Sequence, residues 1–189
     1  GAGVVTRRAM EAAEAAGLTF SFTAHAKDIF VEKVDWDWLG ELGRRAHAVV
    51  TVSGFNREFL ESRLPGARIE LIYNGVDLAR FVPARRRAGA RPGPIVGVGR
   101  FVRKKGFHVL VEAVALLRDM GYDPRVVLAG GGAEEGALRA RARELKLGGA
   151  LRFAGSLTQP EVRTLLRRAS LVALPCVVDT DGNQDALPT

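Results

Sequence analysis

The sequence predicts an α/β protein in two parts, each a parallel sheet flanked by helices, and two observations lead there. In the C-terminal half, short apolar runs alternate with segments of helical period. Between the halves, 85–94 (RRRAGARPGP) is rich in arginine, glycine and proline and has no apolar period. The expected division is therefore 1–84 for one α/β domain, 85–94 for a linker and 95–189 for a second.

In the first part the pattern predicts a helix around Val4 to Ala16, then strands at Leu18 to Thr23, Ala48 to Val52 and Ile69 to Tyr73. In the second, Ile95 to Val98, Val126 to Ala129 and Leu171 to Leu174 are apolar throughout, as parallel strands buried on both faces are. Leu110, Ala113, Val114 and Leu117 recur at helical spacing, and so do Val162, Leu165, Leu166 and Ala169. Thr158 and Glu161 form a capping box, with Pro160 tolerated in the first turn. Leu138, Ala142 and Leu145 mark a further helix, followed by a weaker strand at Leu151 to Ala154. Right-handed crossovers place such helices on both faces of the sheet, and ligands bind beyond the carboxyl ends of its strands. Functional residues are expected in the strand-to-helix loops.

A hydrophobic fraction of 47%, a charged fraction of 26% and 22 glycines fit a globular protein with many tight turns. No stretch approaches the roughly 20 apolar residues that cross a bilayer, and the first residues do not read as a signal sequence, so a cytoplasmic location is expected. The single cysteine, Cys176, excludes an internal disulfide and a cysteine-built metal site. His25, His47 and His108 lack metal-ligand spacing, and no metal site is expected. A net charge of +7 points to an anionic partner: nucleic acid, anionic lipid or a phosphorylated small molecule. Aromatic residues are few and not interleaved with the basic ones, which argues against nucleic acid. Arg139, Arg141, Arg143, Arg163, Arg167 and Arg168 read as a solvated outer face.

The strongest local signal is Gly99-Arg100-Phe101-Val102-Arg103-Lys104-Lys105-Gly106, directly after a buried strand and before an amphipathic helix. Free N–H groups and the helix dipole favour phosphate there. Arg100 and Lys105, beside the two glycines, are the candidate diphosphate ligands, with Arg103 and Lys104 expected to face solvent. Gly130-Gly131-Gly132 would let backbone approach a ligand, so Gly99 and Gly131 are candidate donor-site backbone positions, although turn formation explains most of these glycines. Neither glycine cluster completes a dinucleotide fingerprint, and Glu134 and Glu135 would repel a pyrophosphate at that helix start.

The acidic segment Asp179 to Asp185 follows the last expected strand, where carboxylates would bind sugar hydroxyls or stabilise an oxocarbenium-like centre. An ordinary polar turn explains the same residues. His25 taken alone is a lone histidine, and Asn74-Gly75-Val76-Asp77 taken alone is a turn.

In order along the chain, SFTAHAKDIF (21–30), AVVTVSGFNREFL (48–60), IELIYNGVDLARF (69–81), GVGRFVRKKGFHVLVEA (97–113), VVLAGGG (126–132), LRFAGSL (151–157) and ASLVALPC (169–176) resemble glycosyltransferase family 4, a retaining family of GT-B fold. The surroundings of His25 and Asp185 look most like members that build bacterial exopolysaccharides of the colanic-acid type. The resemblance implies two Rossmann-like domains and transfer of a sugar from a nucleoside diphosphate sugar to a carbohydrate or lipid-linked acceptor hydroxyl. Configuration would be retained and no metal or other cofactor needed. By match to the family's motifs, Arg100 and Lys105 hold the donor diphosphate, His25 approaches the donor sugar, Asp185 begins the acidic pair, and Asn74 belongs to an interdomain loop of mainly structural role.

Two family features fall outside the sequence. The second acid, eight positions after Asp185, lies beyond Thr189, and the N-terminal glycine-rich loop lies before Gly1. The chain is accordingly expected to be part of a longer one and to transfer little sugar alone. A GT-B sugar-nucleotide epimerase and a basic polyanion-binding module are the alternatives. Work at the cytoplasmic membrane face, with a peripheral contact to anionic lipid, is compatible with a lipid-linked acceptor.

Overall fold

The computed structural model describes residues 4–31, 33–82 and 92–185, so 85–91 of the expected linker lie outside it. The described residues gather into two compact units. One runs as far as Val76 and resumes at Val178, and the other is Asp77–Val177.

The first unit contains α1 (Val4–Ala15), β1 (Ser21–Thr23), α2 (Ala26–Ile29), α3 (Trp36–Arg45), β2 (Ala48–Thr51), α4 (Gly54–Arg63) and β3 (Ile69–Leu71). Its strands form a parallel sheet in the order β1-β2-β3, with Val49 opposite both Phe22 and Ile69. Strands β1 and β3 are shorter than their apolar runs, because Leu18 and Tyr73 are 68% and 62% exposed and lie outside the ladder. Helices α3 and α4 were not expected from the pattern. Gly40 and Gly43 interrupt the apolar period of α3, yet both are buried. A Cβ on Gly43 would lie 3.0 Å from that of Ala67, so the missing side chain permits close packing. Asp35 starts α3 by accepting the Trp38 N–H at 2.9 Å, and Ser53 starts α4 by accepting that of Asn56 at 3.1 Å. Met10, Ile29, Leu39, Leu42, Val49, Leu60 and Leu64 form the core between them.

The second unit contains β4 (Ile95–Val98), α5 (Phe107–Asp119), β5 (Val126–Ala129), α6 (Glu135–Glu144), β6 (Leu151–Gly155), α7 (Gln159–Arg168) and β7 (Leu171–Val172). Its parallel sheet runs β6-β5-β4-β7. Leu151 and Phe153 of β6 face the core shared with α5 and α6, while Arg152 and Ala154, alternate residues of the strand, border α7. Helices therefore lie on both faces of this sheet. Strand β5 is buried throughout, as its unbroken apolar sequence requires.

Strand β7 corrects the expectation of a strand buried on both faces. Among the described residues it has two residues in the ladder and pairs only with β4, and Leu171 and Val172 are 55% and 49% exposed. Helix α7 starts where expected, with its capping box of Thr158 and Glu161 in place. The Thr158 hydroxyl donates to Glu161 Oε2 at 2.7 Å, and the Thr158 N–H donates to the same oxygen at 2.8 Å.

Phe101, fully buried although it sits in a loop, holds the second core from above. Its ring meets those of Phe107 and Phe153 edge-on at 5.5 and 6.1 Å. Phe101→Ala is expected to destabilise this unit by about 3–5 kcal/mol, measured by urea unfolding. A loss below about 1 kcal/mol would show that the loop collapses onto the space without cost.

Candidate functional site

In the second unit the chain leaves β4, builds β5 and β6 on one side, then returns to add β7 on the other. The winding reverses between β4 and β7, and sheets of this kind bind ligands beyond the carboxyl ends at that point. The loop after β4 stands there. Arg103–Lys105 form a 3₁₀ turn ending at Gly106, whose φ of +67° is left-handed. A Cβ on Gly106 would overlap the Pro175 carbonyl oxygen in the segment after β7. The Val177 N–H completes the contact, donating to the Lys104 carbonyl at 2.9 Å. Helix α5 begins at the next residue, Phe107.

Backbone also joins this loop to the one after β5. The Phe101 N–H donates to the Gly131 carbonyl at 2.9 Å, and the Glu134 N–H to the Phe101 carbonyl at 2.9 Å. A Cβ on Gly130 would overlap the Gly99 carbonyl oxygen, and one on Gly132 would lie 2.5 Å from that of Phe101. Two of the three consecutive glycines thus serve contact between loops. Gly131, between them, helps line a cleft of about 200 Å³ with Val98, Gly99, Arg100, Ala129 and Ser156.

The structure therefore brings Gly99, Arg100 and Gly131 to one cleft at the carboxyl ends of β4, β5 and β6. Arg100 is exposed, and Lys105, in the same loop, is half-buried. The Lys105 stem runs back toward Gly99, its Cδ 3.8 Å from where a Gly99 Cβ would be. Arg103 is exposed as expected, whereas Lys104 is half-buried. Ser156 was passed over in the sequence; its one signal is its place immediately after the glycine that ends β6.

His25, Asp185 and Asn74 fall in the first unit. His25 is exposed, immediately after β1, and its N–H donates to Asp28 Oδ2 at 3.1 Å. The preceding residue is fixed on both sides: the buried Ala24 donates its N–H to the Val50 carbonyl at 2.8 Å and accepts the Thr51 hydroxyl at 3.3 Å. The acidic segment is built as a turn. The Asp179 and Asp181 carboxylates accept the N–H groups of Thr180 and Asn183 at 2.8 and 2.9 Å, and Gly182 has a φ of +78°. This turn lies against α2, since a Cβ on Gly182 would be 2.7 Å from the Phe30 carbonyl oxygen. Asp185 is half-buried at its end, and Asn74 is exposed in the stretch leaving β3. In that stretch Asp77 closes a local turn, accepting the Ala79 N–H and pairing with Arg80, both at 3.0 Å.

Near the cleft, Thr158 hydrogen bonds hold the Glu161 carboxyl below its ordinary value of 4.5. A carboxyl depressed on folding contributes stability above its unfolded value, and that contribution is lost as pH falls through the folded one. Glu161→Gln is expected to lower the melting temperature slightly at neutral pH, where the contribution is present, and to flatten its fall below about pH 4.5. An unchanged acid limb would remove Glu161 from that role.

Two parallel sheets with flanking helices, with basic and glycine-rich loops at the carboxyl ends of the second, make this a GT-B protein in architecture. The chain belongs to the glycosyl transferases group 1 family, whose model matches residues 86–182, and residues 2–80 match the model described as glycosyltransferase family 4. It is 33% identical over 124 residues, 66% of the chain, to the colanic acid biosynthesis glycosyltransferase WcaL of Escherichia coli K12. It is 35% identical over 149 residues, 72% of the chain, to a glycogen synthase of Mycobacterium tuberculosis. These alignments cover 30% and 36% of the relatives, so the chain spans about a third of their length. Among solved structures, Alr3699/HepE of Anabaena, in complex with UDP and glucose, superposes with a TM-score of 0.71 at 20% identity, over 90% of this chain and 50% of that one.

Proposed function

We propose that the protein containing this chain transfers a sugar from a nucleoside diphosphate sugar to an acceptor hydroxyl with retention of configuration, in polysaccharide or glycolipid synthesis. The observation that carries this reading is the basic loop Gly99 to Gly106 at the reversal of the second sheet, in a chain of this family. A leaving diphosphate gains negative charge as the glycosidic bond breaks, and fixed cations stabilise that charge most in the transition state. Arg100 offers a planar fork and Lys105 a compact ammonium. With these cations in place no metal is required in the reaction.

In the same reading, 1–84 is the end of the acceptor-side domain, 85–94 the link and 95–189 the donor-side domain. Gly99 and Gly131 present backbone to the donor. His25 approaches the donor sugar, Asp185 holds its hydroxyls by charge-assisted bonds, and Asn74 serves the connection between domains. The acceptor is a carbohydrate or lipid-linked sugar, reached in the cytoplasm or at the inner membrane face. The bound UDP of HepE and the polysaccharide role in the name of WcaL support the donor and acceptor classes.

The test incubates the full-length protein with UDP-, GDP- and ADP-linked sugars, with and without a glycan acceptor extract, and follows free nucleoside diphosphate and the sugar product. Acceptor-dependent release with one donor class is the expected result. Conversion of donor to its epimer without acceptor would replace this reading with the epimerase.

A further inference from the structure

Among the described residues the buried polar side chains are Thr51, Ser53 and Asn56, all where β2 gives way to α4. The last two serve the helix start, the Ser53 hydroxyl accepting the Asn56 N–H at 3.1 Å. Thr51 stands outside that start. It ends a strand otherwise made of Ala48, Val49 and Val50 and is fully buried, a place where valine suits the strand and leaves no hydroxyl to satisfy. Its hydroxyl bonds across to the neighbouring strand. Past Thr23 and Thr51 the two chains part, one into α2 and the other into α4, and the Thr51 hydroxyl bridges them by donating to the Ala24 carbonyl at 3.3 Å.

That carbonyl and the His25 N–H belong to one planar peptide group, which also contains the His25 Cα. The N–H end is held as well, donating to Asp28 Oδ2 at 3.1 Å. Two side chains therefore fix the plane from which His25 projects, Asp28 from within α2 and Thr51 from the adjacent strand. The Asp28 bond is explained by the first turn of α2, which it closes. The Thr51 bond has no such local purpose. We propose that Thr51 is a positioning residue for His25, holding the peptide that sets the direction of the imidazole. His25 is exposed, so its aim depends on its backbone more than on packing. Thr51, being fully buried, acts on a substrate only through that peptide. The inference rests on the approach of His25 to the donor sugar proposed above.

The test is a double-mutant cycle in the full-length protein, read as kcat and KM for sugar transfer. Thr51→Val should lower kcat about tenfold and leave the donor KM within about twofold, because a misdirected group loses rate before affinity. Thr51→Ser keeps the hydroxyl and should recover most of the loss. In a His25→Ala background, Thr51→Val should cost less than about twofold, since the group it aims is already gone. Ser53→Ala removes the α4 cap; it should lower the melting temperature and keep kcat within about twofold. An equal loss from Thr51→Val in both backgrounds, or no loss with His25 present, would overturn the proposal. So would a loss of kcat in Ser53→Ala as large as that in Thr51→Val, which would reduce Thr51 to part of a general structural support. Near-normal turnover in His25→Ala would overturn it together with the role given to His25, whereas sugar transfer itself is tested separately by Arg100 and Lys105.

Discussion

Arg100→Ala and Lys105→Ala, each made in the full-length protein, are expected to lower turnover by about 10²-fold or more. The size follows from when the cations act. A diphosphate that departs with its bond to the sugar breaking gains charge only as the reaction proceeds, so each cation contributes more in the transition state than in the bound ground state. Arg100 lines the cleft, and the Lys105 stem runs toward Gly99, which lines it too. Each loss should therefore appear in kcat more than in KM. Lys105→Arg keeps charge but replaces a compact donor with a planar one and should recover only part of the loss. Near-normal turnover in both alanine variants would remove the loop from the reaction.

Gly106→Ala is expected to destabilise the second unit by about 4 kcal/mol or more. The left-handed φ of +67° accounts for the smaller part, roughly 1–2 kcal/mol. The larger part is overlap with the Pro175 carbonyl, which cannot move freely because β7 on one side of it is paired to β4 and Val177 on the other is bonded to Lys104. Gly121→Ala separates the two contributions. Its φ is +85° and its Cβ would meet nothing within 4 Å, so it should cost only about 1 kcal/mol. Urea unfolding of the two variants measures the difference directly. Equal losses would mean that the contact between the loops after β4 and β7 yields easily, and would weaken the case for a preformed anion site there.

The alternation of strands and helices in the second unit was legible because β4 and β5 are central, covered on both faces, and so written as unbroken apolar runs. Strand β7 has the same kind of sequence but one neighbour among the described residues, and an apolar run does not reveal how many neighbours a strand has. Helices α3 and α4 were hidden for opposite reasons: α3 spends glycines on close packing, and α4 (GFNREFLESR) has few apolar residues to set a period.

Within the candidate site, the position of Arg100 and Gly99 after a buried strand was readable, since both the strand and the turn leave local signals. The division of labour among Gly130, Gly131 and Gly132 was not, because it depends on backbone about 30 residues away. Ser156 reaches the cleft through the sheet order and carries no motif of its own. The acidic run from Asp179 to Asp185 supports a turn and a sugar contact equally as sequence. In the structure Asp179 and Asp181 accept the backbone N–H groups of Thr180 and Asn183 within the turn, and Asp185 is the acid that the family match singles out.

The most direct test of the proposed reaction is the anomeric configuration of the product. The full-length protein, supplied with the α-linked nucleoside diphosphate sugar it accepts and with a glycan acceptor in the presence of a chelator, should yield an α-linked product by proton NMR, with one nucleoside diphosphate released per sugar transferred. A β-linked product, or transfer that stops when divalent metal is removed, would contradict retention by a site whose charge is supplied by Arg100 and Lys105.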